Sequence, residues 1–362
     1  MKLGILDIFG ICFIVLKLTG VIDWTWEQVL SVPIIVFIIG FVEGLIEYLK
    51  DLEESGVDAI ICASPVIIDT AKEHTNLELH ISTQLSSANY ESVNFWVEEG
   101  ITRVVLAREL TKHEIDTLRK NTNAEIEVFI HGGMCVSYSG RCTLSNNMTD
   151  RDANRGGCAH SCRWNYDIFD GETKLNKDSS FAMSSKDLQT VKHISDLIDI
   201  GVNSLKIEGR MKSIHYIATV VNTYRKLIDN ICDEKDLDLP KYLLEIKKAE
   251  NRLTSHGFME GMTTINEQLY NMRSENPTQE FIGIVMDYDE ETNIATIEQR
   301  NFFEPEDHVE IFSPNFDNLK FVIEEIRDVD GNILDAARHP KQVLKVFVPV
   351  KVSKYDMIRK IK

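Results

Sequence analysis

The sequence predicts an α/β protein with a parallel sheet, followed by a small antiparallel β domain. Three observations carry this expectation. Between residues 42 and 209, short apolar runs alternate with amphipathic stretches, the pattern of strands joined by crossover helices. The turns SGVDAII, EGITRVVL and IGVNSLKI repeat one helix–Gly–strand theme. From Phe281 onward only strands and turns follow, which reads as about eighty residues of antiparallel sheet or small barrel.

The elements follow in order. Residues 1–41 hold two apolar runs, 3–22 and 29–41, rich in Ile, Val and Phe. They read as two buried strands, as a membrane hairpin reaching to residue 46, or as the trace of a fused or truncated gene. Leu45, Tyr48, Leu49 and Leu52 then sit at helix spacing, and Gly56 turns the chain into the strand DAIICA. LELHISTQ, TRVVLA, EIEVFIH, FAMSS and SLKIEG are the next strands. Six are too few for a closed eight-stranded barrel, and only the first forty residues could supply two more. After Arg210 comes an amphipathic helix with Ile217, Val220, Val221, Tyr224 and Leu227 on its predicted core face. Cys232 ends it. The chain thus divides into an atypical segment (1–41), a β/α unit (42–232), a helical linker (233–280) and the antiparallel domain (281–362). Within that domain Asp330-Gly331 marks a hairpin.

At 362 residues the chain has room for one large domain and a small one. Its 43% apolar and 27% charged residues are ordinary for a globular protein. A net charge of −18 makes the molecule as a whole a poor lure for nucleic acid. An RNA partner therefore requires a local basic patch.

Such a patch coincides with the most distinctive stretch, residues 131–167. Four of the seven cysteines fall there, Cys135, Cys142, Cys158 and Cys162, spaced C-x6-C-x15-C-x3-C. Between His131 and Arg163, four arginines (Arg141, Arg151, Arg155, Arg163) face two aspartates (Asp150, Asp152). A loop this long inside a domain needs something to organise it. Four thiolates can do so by holding zinc or an iron–sulfur cluster. Two disulfides or separately buried thiols are the plainer readings, and no cleavable signal peptide is evident to favour disulfides. Only Cys158 and Cys162 are as close as a zinc knuckle, and the wide C-x6-C arm suits a cluster at least as well. Cys232 is a reserve fourth ligand should Cys162 point away, whereas Cys12 and Cys62 read as core.

In parallel β/α folds chemistry gathers at the C-terminal strand ends. There the sequence places Gln84, Arg108, Glu109, His131, Lys186, Asp187, Glu208 and Arg210. Each alone reads as a loop cap or a solvated charge. Lys206 and Glu208 alternate with Leu205 and Ile207, so they share one face of their strand. Such a pair requires a ligand, each other, or another ion partner.

The segments EVFIHGGMCVSYSGRCTLSN, RDANRGGCAHSCRW, MSSKDL and SLKIEGRMKS resemble the collagenase-like peptidase family of unknown catalytic type, unassigned peptidase family thirty-two. Its signature is met by Glu127, Phe129, Gly132, Cys135, Ser139, Gly140 and Cys142. The resemblance runs from about residue 42 to the C-terminus and leaves residues 1–41 unmatched. It implies a (β/α)8-type barrel, incomplete or completed by the atypical N-terminus, plus a small C-terminal β-barrel-like domain. Within the family, likeness to prephenate-dependent tRNA uridine hydroxylation proteins implies a cytoplasmic protein with tRNA as partner and prephenate or a similar small carboxylate as co-substrate. Relatives carrying a four-cysteine [4Fe–4S] cluster make Cys135, Cys142, Cys158 and Cys162 the implied ligands. Arg141 and Arg163 would then tune the cluster or touch RNA phosphates, and Lys206, Glu208 and Arg210 would floor the pocket with His131 beside them.

Two other function classes stay open. The family name implies a peptidase, for which Cys135–His131 or Cys162–His160 would be the nucleophile and base. No His-Glu-x-x-His or Gly-x-Ser-x-Gly motif supports it. A non-catalytic RNA-binding or scaffold module is the third class, with membrane tethering through residues 1–46 as an alternative to a cytoplasmic location.

Overall fold

The computed structural model describes residues 14–19, 21–23, 25–176, 183–210, 212–249, 252–269 and 280–361. Helix α1, Trp26–Glu54, runs through the second apolar stretch, where strands or a membrane hairpin were the alternatives. Ile34, Ile38 and Phe41 recur there at helix spacing, with exposed side chains. Further along, Leu49 is buried and Leu45 and Leu52 pack on the core. Residues 26–41 therefore add no strand, and no helix among the described residues is long and apolar enough to cross a membrane. Most of the first apolar run, with Cys12, lies outside the described residues.

The parallel sheet follows the predicted alternation. Its elements are β1 (Ala59–Cys62), α2 (Pro65–His74), β2 (Glu78–Ile81), α3 (Tyr90–Glu98), β3 (Arg103–Val105), α4 (Lys112–Lys120) and β4 (Glu125–Gly132). After the cysteine loop, which contains the short helix α5 (Leu144–Thr149), come β5 (Asp187–Gln189), α6 (Ile194–Ile200), β6 (Ser204–Ile207) and α7 (Ile214–Cys232). Strands β1, β2, β3, β4 and β6 are parallel neighbours in that order. Among the described residues the sheet stays open instead of closing into eight strands.

Local signals set the helix starts. Thr111 and Glu114 form a reciprocal capping box at α4, and Ser213 accepts from the Tyr216 N–H at α7. Strand β4 is central and buried on both faces. Ile126, Val128 and Ile130 join the core against the helices, while Phe129 packs with Val105, Met134 and Leu188 on the opposite face. That division is the two-residue period of a strand.

Two elements differ from expectation. FAMSS is not a strand at its described residues: Ser185 makes one isolated bridge to Gln268, and β5 begins two residues later. It pairs antiparallel with the end of β4, opposite His131 and Gly132, and parallel with β7 (Thr254–Ser255). Helix α7 buries His215, Tyr216, Thr219, Val220, Thr223, Tyr224 and Leu227, leaving Ile217 and Val221 exposed. The helix is covered on two sides. One faces the sheet; the other, polar one meets the C-terminal domain.

That domain follows α8 (Leu239–Ala249). Its strands are β8 (Glu280–Asp289), β9 (Ile294–Gln299), β10 (His308–Phe312), β11 (Leu319–Val322), β12 (Ile326–Arg327), β13 (Ile333–Leu334), β14 (Val343–Phe347) and β15 (Met357–Lys360). They form a curled antiparallel sheet in the order β11-β10-β15-β8-β9-β14-β12-β13 over its own apolar core. The Asp328–Gly331 turn joins β12 to β13 as predicted: the Asp328 carboxylate accepts from the Asp330 and Asn332 N–H groups, and Gly331 takes φ +89°. Against α7 and α8, the buried Arg359 guanidinium meets Glu310, Glu245 and Thr219, and His215 stacks on Phe281.

Candidate functional site

The site begins where β4 ends. Gly132 takes φ +117°, and a Cβ there would stand 2.6 Å from the Glu208 carbonyl, so only glycine lets β4 turn beside the β6 exit. The chain then folds over the C-terminal strand ends and is tied to each neighbour. Gly140 lies on the backbone of Gln84, where a Cβ would clash at 1.8 Å, and the Gln84 side chain donates to the Ala153 carbonyl at 3.2 Å. Glu109 accepts from the Ser139 N–H at 2.9 Å and its hydroxyl at 2.8 Å. Arg108 lies 3.7 Å over the Phe129 ring and donates to the Gly133 carbonyl. The Gly133 N–H donates to Glu208 at 3.2 Å, and Asn154 donates to the Cys142 carbonyl at 3.0 Å.

All four loop cysteines are free thiols, and each lies within electrostatic range of another. Burial pushes Cys135 up; the Ser137 N–H opposes this, and Cys142 and Cys162 add to it. Burial likewise raises Cys162, with Arg163 opposing and Cys158 and Cys142 adding. The Val136 N–H lies close enough to the Cys162 sulfur to oppose the rise in its thiol, so the two arms of the loop approach each other there. Cys158 accepts from the His160 N–H at 3.4 Å. Among the described residues no three His, Cys, Asp or Glu side chains stand in the arrangement of a single-ion site. The sulfurs share one neighbourhood without closing on one point.

Beneath the loop lies a charge cluster centred on Asp187, which is 3% exposed. Arg163 reaches it at 3.0 Å, Lys212 at 3.3 Å and Arg252 at 3.5 Å. Burial alone would raise the Asp187 carboxyl, but these three cations outweigh it and hold the group below its ordinary value. Arg163 also donates to the Met134 carbonyl at 3.2 Å. One side chain thus clamps the entry to Cys135 against the segment leaving Cys162.

Several expected site residues sit elsewhere. Arg163 is buried in that clamp and not placed to touch RNA phosphates; Arg141 is exposed. Lys206 pairs with Glu127 of the adjacent strand at 2.6 Å, not with Glu208. Burial would raise Glu127, but the Lys206 and Ser204 hydrogen bonds outweigh it. Glu208 caps the Gly133 and Arg210 N–H groups, and Arg210 donates to the Gly156 carbonyl at 2.9 Å. A bulge in the β4–β6 register between Phe129 and His131 leaves the His131 ring against Tyr216 and Tyr224. Burial pushes this imidazole down to about 4, and no imidazole–thiol hydrogen bond forms among the described residues, so neither expected Cys–His dyad is made. Cys232 ends α7, a helix of 19 residues that carries it about 28 Å from the strand ends; it is no reserve ligand. Cys62 is core, its thiol raised to about 11 by burial.

The sequence reading missed Arg252, which lies beyond the linker helix with no motif around it, and Lys212 as a partner of Asp187. Only the run KIEGRMK hinted that a cation follows the β6 exit.

Fold and site together define an open parallel α/β protein with a thiol-rich loop over its strand ends. The chain belongs to peptidase family U32: the family model matches residues 34–269, and the family's C-terminal domain model matches residues 277–359. It is 48% identical over 88% of its length to tRNA hydroxylation protein P1 of Bacillus subtilis, covering 78% of that protein. It is 31% identical over 83% of its length to tRNA hydroxylation protein P of Escherichia coli, covering 76% of it. Among solved structures, the C-terminal domain of a U32-peptidase chain from Geobacillus thermoleovorans is 53% identical, covering 23% of this chain and 93% of that one, with a TM-score of 0.23.

Proposed function

We propose that this protein acts in tRNA hydroxylation, with Cys135, Cys142, Cys158 and Cys162 as ligands of one [4Fe–4S] cluster. The observation that carries the reading is the gathering of four free thiols on one loop at the strand ends, each within electrostatic range of at least one other. The wide C-x6-C arm suits a cluster at least as well as zinc, because four irons separate their thiolates more than a single ion does. The His160 N–H bond to Cys158 at 3.4 Å is an outer-shell bond of the kind that tunes such a centre, and the Ser137 and Val136 N–H groups lie close enough to Cys135 and Cys162 to oppose the rise in their thiols. When bound, the cluster supplies electron-transfer or Lewis-acid chemistry that side chains lack. Arg108 and Arg210 at the strand ends are the groups that would clamp a small dicarboxylate such as prephenate. The named activity of the relatives points to tRNA as the substrate class.

The test is genetic and chemical. In a deletion strain, the wild-type gene should restore hydroxylated uridine in digested tRNA, read by mass spectrometry, and Cys158→Ala should not. Full restoration by Cys158→Ala would contradict the reading.

A further inference from the structure

On a chain of net charge −18, the outer surface of the cysteine loop is a local exception. Arg141, Arg151, Arg155 and Arg210 are all exposed. The fold brings them together from distant positions. The Arg141 N–H closes a turn on Tyr138 at 2.9 Å; Asn154, beside Arg155, bonds the Cys142 carbonyl next to Arg141; the Arg151 carbonyl accepts from Ser145 at 2.7 Å; and Arg210 reaches Gly156. Arg155 has Asp152 at 3.5 Å. Among the described residues no carboxylate stands within ion-pair distance of Arg141 or Arg151.

Two aromatic rings of the same loop also stand in the open. Tyr138 is 48% and Trp164 43% exposed, although the same loop buries Ser139, Ser145 and Ser161. A loop that presents Trp, Tyr and Arg together has the surface chemistry of a single-strand nucleic-acid binder: bases stack on rings while phosphates meet guanidinium groups. Duplex RNA fits less well, since paired bases offer no free face for stacking.

We propose that this face docks an unpaired stretch of RNA, with Arg141, Arg151 and Arg155 on phosphates and Trp164 and Tyr138 as stacking platforms. The proposal rests on the tRNA reading above and adds where the RNA lies. It places the unpaired bases over the thiol loop itself, not on the C-terminal sheet.

The experiment measures binding of an unmodified tRNA transcript, an isolated anticodon stem-loop and a fully paired RNA hairpin to the full-length, anaerobically purified protein across a salt series. Replacing all three arginines by alanine should lower the slope of log affinity against log salt by about 2, since each single-strand phosphate contact contributes about 0.7. Lysine at the same three positions should keep the slope. Trp164→Ala should weaken stem-loop binding roughly tenfold with the slope unchanged, the mark of a lost base stack. The paired hairpin should bind weakly and ignore Trp164→Ala, and Lys320→Ala on the C-terminal sheet should change nothing. If wild type binds tRNA and both loop variants bind it equally well, the surface is wrong while the tRNA reading stands. If wild type binds none of the three RNAs, both fail.

Discussion

Two buried carboxylates in this molecule each gather cations, and they hold different things. Asp187 draws Arg163, Lys212 and Arg252 beneath the cysteine loop. Glu310 draws Lys248 and Arg359 where α8 meets the C-terminal sheet. Around Glu310 the partners come from regular elements, Lys248 on α8 and Arg359 on β15, so its ion pairs fix the seating of one domain on another. Around Asp187, Arg163 belongs to a loop with no regular ladder to hold it. That clamp fixes a loop's shape, and with it the positions of four thiols. The same electrostatics yields rigidity of a surface in one place and of a site in the other.

The largest effect expected from breaking this comparison is at Asp187. Asp187→Ala leaves three buried cations without their shared counter-charge, a loss of about 5 kcal/mol at the upper end for a broken buried pair. Urea unfolding should register it, and limited proteolysis should cut between residues 134 and 163, where wild type resists. Arg359→Ala leaves Glu310 and Glu245 to share Lys248 as their cation and should cost about 3 kcal/mol. Its signature is a separate, earlier melting of the C-terminal domain, with iron content unchanged. Equal iron loss in both variants would erase the distinction between the two clusters.

Acid should sharpen it further. His131 and His215, one near each cluster, are both held down to about 4 by burial, from an ordinary 6.5. A lowered folded value means the unfolded chain takes the proton first. Stability is therefore complete above about pH 6.5 and falls as pH drops toward 4, by about 2–3 kcal/mol for each histidine. Unfolding free energies of wild type and His215→Phe between pH 7 and 4 should diverge by one histidine's share. Parallel curves would show that His215 is not buried neutral. The smallest effect belongs to Lys206→Met, which leaves Glu127 its Ser204 bond. It should cost about 1–2 kcal/mol and leave the iron content intact, because Lys206 braces the sheet below the loop.

Much of this was legible in the sequence. Short apolar runs and Gly-led turns located β1 to β4 and β6, and Asp330-Gly331 located a C-terminal hairpin. The unread parts share a physical cause: they depend on partners distant in the chain. Lys206 and Glu208 alternate correctly on paper, but the carboxylate that claims Lys206 lies on the neighbouring strand at Glu127. Arg163 reads as a surface arginine until Asp187 is brought beneath it. His131 sits at the predicted strand end, yet a bulge turns it toward α7. Residues 26–41 hold Ile and Val as a strand would, and only their continuation into the amphipathic stretch at 45–52 makes them one helix with it. That Cys135, Cys142, Cys158 and Cys162 share one loop needed no such context, because it is read from their positions in the sequence alone.

The central claim is that the loop clamped by Asp187 presents four thiolates to one inorganic centre. Iron and acid-labile sulfide in the anaerobically purified full-length protein test it most directly. The account predicts roughly four of each per chain, with visible absorption that Cys135→Ala, Cys142→Ala, Cys158→Ala and Cys162→Ala each abolish while Cys232→Ala does not. Colourless, iron-free protein with four titratable loop thiols would contradict it.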